Sequence, residues 1–161
     1  MPPLAELSVP YCLSDLRSRL QTLSFRLTPQ VTAWTDSPGI PSALSGLVFN
    51  KLGDAAWQRF RDFSKWPDGW AGPGSHAIAW GTYSNFERLL DGLRIPTGST
   101  PPSLFVTDEG FLSLQWEARD RTTVNVTVNT AGADYFIESG SEEGSTNDLE
   151  TLPERLNRTW A

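Results

Sequence analysis

The spacing of hydrophobic positions changes once along the chain. Up to residue 94 they recur at three- and four-residue steps, and from Ser103 they alternate. Leu13, Leu16, Leu20 and Leu23 mark a first amphipathic helix, with Ser14 or Asp15 available as its N-cap. Trp57, Phe60 and Phe63 stand three apart on a second, short helix opened by Gly53 and Asp54, an aromatic stripe of the kind a core-facing helix needs. Tyr83, Phe86, Leu89, Leu90 and Leu93 mark a third and principal helix, stopped by residues 92–96. Residues 1–12, punctuated by Pro2, Pro3 and Pro10, are expected to be weakly ordered. Residues 28–52 carry Pro29, Pro38, Gly39, Pro41 and Gly46 but are too apolar for a free linker, which predicts a packed irregular arm.

In the alternating part, Leu104 begins a short apolar run, Asp108-Glu109-Gly110 is a turn, and Leu112, Leu114 and Trp116 alternate with polar neighbours. Val124, Val126 and Val128 do the same, and Ala131-Gly132 turns into Tyr135, Phe136 and Ile137. The expected class is α+β: N-terminal helices packed on one face of a four-stranded antiparallel meander, forming a single domain over residues 13–138. Residues 139–148, SGSEEGSTND, have the composition of a mobile acidic connector. Residues 149–161 then predict a short C-terminal amphipathic helix, with Leu149, Leu152, Leu156 and Trp160 at helical spacing and Thr151 to Glu154 in capping-box form. So short a helix is marginal alone and needs a groove, on its own domain or elsewhere. With a connector before it, removal of residues 139–161 is expected to leave the core folded.

Composition narrows the chemistry. A length of 161 residues suits one domain. No run approaches the roughly 18 apolar residues of a membrane span, and no basic segment leads into an apolar run near the start, so a cytoplasmic protein without membrane contact is expected. Cys12 and His76 are the sole cysteine and histidine, so this chain alone assembles neither an internal disulfide nor a Cys/His zinc site. Gly-x-Ser-x-Gly turns and Gly-rich phosphate loops are absent from the sequence, and neither a cofactor nor a metal is expected. The formal charge of −6 is uneven: residues 95–161 carry four Arg against eleven Asp and Glu. That half repels nucleic acid and favours a protein partner with a basic surface.

The densest punctuation lies in Trp66-Pro67-Asp68-Gly69-Trp70-Ala71-Gly72-Pro73-Gly74-Ser75. Trp66 and Trp70 can anchor this loop as a rigid scaffold, while Gly72, Gly74, Ser75 and His76 form a possible ligand site if their backbone N–H groups face an anion. Gly69 to Ser75, the helical Phe86-Glu87-Arg88-Leu89-Leu90, Pro102, Thr107-Asp108-Glu109-Gly110 and Leu114-Gln115-Trp116 together resemble a group of small uncharacterised bacterial proteins. These have a Gly-Trp-Asp-Gly-x-Gly-Ala loop, a helix, and a sheet with an Asp-Gly turn and a Leu-Glu-Trp strand. The likeness covers roughly residues 57–138 and rests on short motifs. Here Ala71 and Gln115 stand where the group has Asp and Glu. The resemblance implies an accessory or interaction protein, loosely of toxin-neutralising type, with no assigned chemistry.

The leading expectation is a non-catalytic protein-binding module, an antitoxin or immunity-type inhibitor. Its contacts are expected from Thr123, Asn125 and Thr127 on the solvent face of the sheet, from Glu142 and Glu143 in the acidic connector, and from Trp160. One alternative is an enzyme of unfamiliar type with Glu117, Asp108 or His76 in a pocket beside the Trp70 loop. Another is a structural or oligomerising subunit whose C-terminal helix docks on a neighbouring copy.

Overall fold

Leu44, Val48 and Leu52 stand four apart and are all buried, forming the inner side of helix α1 (Ser42–Leu52) in the computed structural model, which describes residues 40–160. The chain divides into two units, Met1–Thr35 and Asp36–Ala161, and every described residue belongs to the second. The weakly ordered start expected over 1–12 and the first helix expected over 13–23 lie outside the described residues. Where an irregular arm was expected up to residue 52, the described part is helical. Pro41 occupies the N-cap, where it breaks no hydrogen bond, and Gly46 lowers helix propensity by only about 1 kcal/mol relative to Ala. Burial of three aliphatic side chains outweighs that penalty.

Helix α2 (Asp54–Phe63) and helix α3 (Trp80–Gly92) match the second and third expected helices. Phe60 of α2 meets Tyr83 edge-on at 5.8 Å and lies 6.1 Å from Phe86, both on α3, so the aromatic stripe is spent on packing. Lys51 joins α1 to the end of α3: its ammonium donates to the carbonyls of Leu90, Asp91 and Leu93. These are carbonyls that a helix C-terminus leaves without partners.

The strands follow in sequence order as one antiparallel sheet: β1 (Ser103–Val106), β2 (Leu112–Glu117), β3 (Thr123–Val128), β4 (Ala133–Ile137) and β5 (Glu142–Thr146). The class is α+β, but the sheet has five strands rather than the four expected. Leu104, Leu114, Trp116, Val124, Val126, Val128 and Ile137 join the helical side chains in one hydrophobic cluster. The alternate positions point the other way.

The additional strand forms where an acidic connector was expected. Its residues, EEGST, carry no apolar alternation, so sequence pattern alone does not mark them. Backbone pairing with β4 supplies the order instead, with Ala133 opposite Thr146 and Ile137 opposite Glu142. Gly144 opens the space for this: a Cβ there would stand 2.8 Å from the Tyr135 hydroxyl. Glu142 pairs with Arg155 at 2.6 Å, and Ser145 donates to Asp134. Acidic residues and a glycine are also what keeps an exposed sheet edge from pairing with another chain.

The C-terminal helix α4 (Leu152–Asn157) is shorter than the expected 149–161 and continues as a 3₁₀ turn, Arg158–Trp160. It docks on its own domain. Leu149, Leu152 and Leu156 are buried in the common core. Asn157 accepts from the Arg94 N–H at 2.7 Å and donates to the Gly92 carbonyl at 3.1 Å, closing the end of α3. The Trp116 indole N–H donates to the Thr159 hydroxyl at 3.1 Å, and the Trp116 and Trp160 rings stack at 5.3 Å. Residues 149–156 therefore put three leucines into the core, which argues against the expectation that the fold survives removal of residues 139–161.

Candidate interaction surface

Alternation along each strand decides what the second face of the sheet presents. Because Leu104, Leu114, Val126 and Ile137 are buried, Phe105, Ser113, Gln115, Thr127 and Phe136 face outward. Strand register aligns them in rows. One row runs Ser103, Gln115, Asn125, Phe136, Glu143; the next runs Phe105, Ser113, Thr127, Asp134, Ser145. Glu117 and Thr123 pair at one end. Three outward positions are carboxylates, Glu117, Asp134 and Glu143, and none on these strands is Lys or Arg.

Two large rings stand on this face with nearly half their surface in solvent, Phe105 at 44% and Phe136 at 42%. They lie on β1 and β4, roughly 15 Å apart across two intervening strands at the usual strand spacing. Between them is a polar floor. The Thr127 hydroxyl lies 3.2 Å from the Ser113 hydroxyl and 3.3 Å from the Asn125 side-chain oxygen, so these short side chains hold each other in place. Phe49 and Trp80, the other large exposed apolar side chains among the described residues, stand on α1 and α3.

The expected partner-binding residues divide over this geometry. Thr123, Asn125, Thr127 and Glu143 lie together on the outward face. Glu142 does not: it sits opposite Ile137 and its carboxylate is held by Arg155, whose guanidinium also donates to the Tyr135 hydroxyl. Trp160 is partly buried in its stack on Trp116 and lines a recess of about 640 Å³ walled by Pro96 and Pro101. Ser103, Gln115 and Glu117 line the same recess, so it opens at one end of the outward face. Asp134, Phe105 and Phe136 are surface residues that the sequence reading passed over. Their signal was the two-residue period itself: if Ile137 is inward, Phe136 is outward.

The Trp70 loop is held by internal hydrogen bonds. Trp66 and Trp70 stack at 4.2 Å, with Phe63 4.9 Å from Trp66. The hydroxyl of buried Ser75 accepts from the Ala71 N–H at 2.9 Å and donates to the Gly72 carbonyl. The N–H groups of Gly69, Trp70, Gly72 and Ser75 donate within the loop, that of His76 donates to the Asp108 carbonyl, and that of Ala77 donates to the Asp68 carboxylate. Gly74 takes a φ of +98° in the turn between. These bonds occupy most of the donors that would cradle an anion. Loop and hairpin turn meet directly: a Cβ on Gly110, whose φ is +77°, would stand 2.5 Å from the Ala77 carbonyl oxygen. The Trp70 loop and the Asp108-Glu109-Gly110 turn are thus packed against each other.

The three candidate catalytic groups do not converge. His76 and Asp108 sit at the β1–β2 turn, whereas Glu117 ends β2, five residues and roughly 17 Å beyond Leu112 at ordinary strand rise. Hydrogen bonding from Thr107 holds the neighbouring Glu109 carboxyl below its usual range, opposite to what a general acid at neutral pH requires. Among the described residues, no group of three or more His, Cys, Asp or Glu is placed to hold a metal ion, and no helix is long and apolar enough to cross a membrane. The chain matches no protein-family model, no curated protein and no solved structure.

Proposed function

We propose that this protein is a non-catalytic protein-binding module, an antitoxin or immunity-type inhibitor that engages a basic partner through the outward face of its sheet. The supporting observation is that face itself: two half-exposed phenylalanines around a hydroxyl and amide floor, with carboxylates and no outward Lys or Arg on the strands. Rings supply apolar contact area, and the carboxylates select the sign of the partner's charge. Thr123, Asn125, Thr127, Asp134 and Glu143 belong to this surface. The resemblance to accessory, toxin-neutralising proteins points the same way. The Trp70 loop, in this reading, is scaffold for the hairpin that carries Phe105.

The test is capture from the native host with wild-type protein and with a Phe136→Ser/Glu143→Lys variant, followed by identification of the retained chain. One basic polypeptide should bind the wild type. The double variant should lose at least about tenfold in affinity, since a ring and a charge contact each contribute on the order of 1 kcal/mol or more. A Trp80→Ser variant, altered away from the sheet, should bind as the wild type does. An acidic partner, or capture indifferent to the double substitution, overturns the proposal.

A further inference from the structure

The four Arg of residues 95–161 are not spread among that half's eleven carboxylates: three of them, Arg119, Arg155 and Arg158, line one depression of about 700 Å³. The N–H of Arg119 donates to the Thr159 carbonyl at 3.1 Å, which ties the backbones that carry Arg119 and Arg158 together across some forty residues of sequence. Their guanidinium groups have no hydrogen-bond or ion-pair partner among the described residues. Two like charges lining one depression repel, and an anion between them offsets that repulsion.

The lining also holds two carboxylates, Glu142 and Asp120, which its three guanidinium groups outnumber by one. Glu142 is paired with Arg155, and Asp120 accepts from both the N–H and the hydroxyl of Thr122. What remains is two planar groups, each with five N–H donors in the fork geometry that matches the oxygens of a phosphate. Arg155, anchored by Glu142 and Tyr135, forms the third side. We propose that this depression binds a small molecule through a phosphate group, with Arg119 and Arg158 as its direct ligands. Arg119 also lines the recess at the end of the outward sheet face, but the proposal does not depend on that face binding a protein.

Pyrophosphate, as a compact probe, tests it by calorimetric titration of the full chain. Saturable binding near one equivalent is expected, with Kd weakened about tenfold or more in Arg119→Gln and in Arg158→Gln, the loss expected for a charge-assisted hydrogen-bond pair. Arg59→Gln, on the exposed side of α2, should leave Kd unchanged. A measurement without substitutions accompanies it: pyrophosphate should protect Arg119 and Arg158, but not Arg59, from an arginine-modifying dicarbonyl, read by peptide mass. Absence of saturation by roughly 10 mM, an equal loss in Arg59→Gln, or uniform modification overturns the proposal.

Discussion

Tyr83 lies almost wholly inside the core, edge-on to Phe60, and burial pushes its phenol up to about 12. Above pH 10 the unfolded chain gives up this proton while the folded chain keeps it, so the unfolded state binds fewer protons and stability falls as pH rises. The contribution is intact below pH 10 and is withdrawn on the way to 12. In denaturant unfolding at pH 8, 10 and 11.5, the wild type should therefore lose stability more steeply than Tyr83→Phe. The two should be close at pH 8; parallel alkaline limbs would show that the phenol ionises freely in the folded state. Single residues were also where the sequence was most and least informative. Burial of Tyr83, Phe86 and Leu89 is written in their helical spacing, whereas Phe136 is apolar yet outward, which the two-residue period implies only once Ile137 is known to be inward.

At the scale of elements, those with amphipathic periodicity were legible, and those ordered by their neighbours were not. Helices α2 and α3 and strands β1 to β4 announce themselves through spacing. Strand β5 is polar throughout and exists because β4 offers a free edge, Gly144 makes room for Tyr135, and Arg155 holds Glu142. Helix α1 was hidden by proline and glycine that its packing tolerates. The unexpected strand bears on the C-terminus, which it ties to the sheet rather than to a connector. Leu149, Leu152 and Leu156 fill the core, and each leucine removed costs about 2–5 kcal/mol, against a total stability of roughly 5–15 kcal/mol for a domain. A chain ending at residue 138 should lose the cooperative thermal transition and the near-ultraviolet dichroism of its tryptophans. A truncated protein that still unfolds cooperatively would mean that β5 and α4 are dispensable after all.

For the whole molecule, charge was legible as an amount and as a segregation along the sequence, but not as a surface. Folding brings Glu117, Asp134 and Glu143, from three different strands, onto one side, and gathers Arg119, Arg155 and Arg158 at one depression. A net charge of −6 with such a face should steer a basic partner during approach. The association rate of the captured partner should fall about tenfold or more between roughly 50 and 500 mM NaCl, with dissociation little altered. Stopped-flow mixing across that range measures it, and a rate indifferent to salt would remove electrostatic steering from the account.

The sheet's strands lie side by side in the order in which they are synthesised. Each pairing closes a loop of only a few residues, at small entropic expense, and can zip onto the hairpin before it. The long-range ties are different: Lys51 reaches the end of α3 some forty residues on, and Asn157 reaches Gly92 across 65. Sequence separation therefore predicts that the hairpins pair first and the C-terminal segment docks last, an order that high φ-values at Val126 and low ones at Leu156 would bear out.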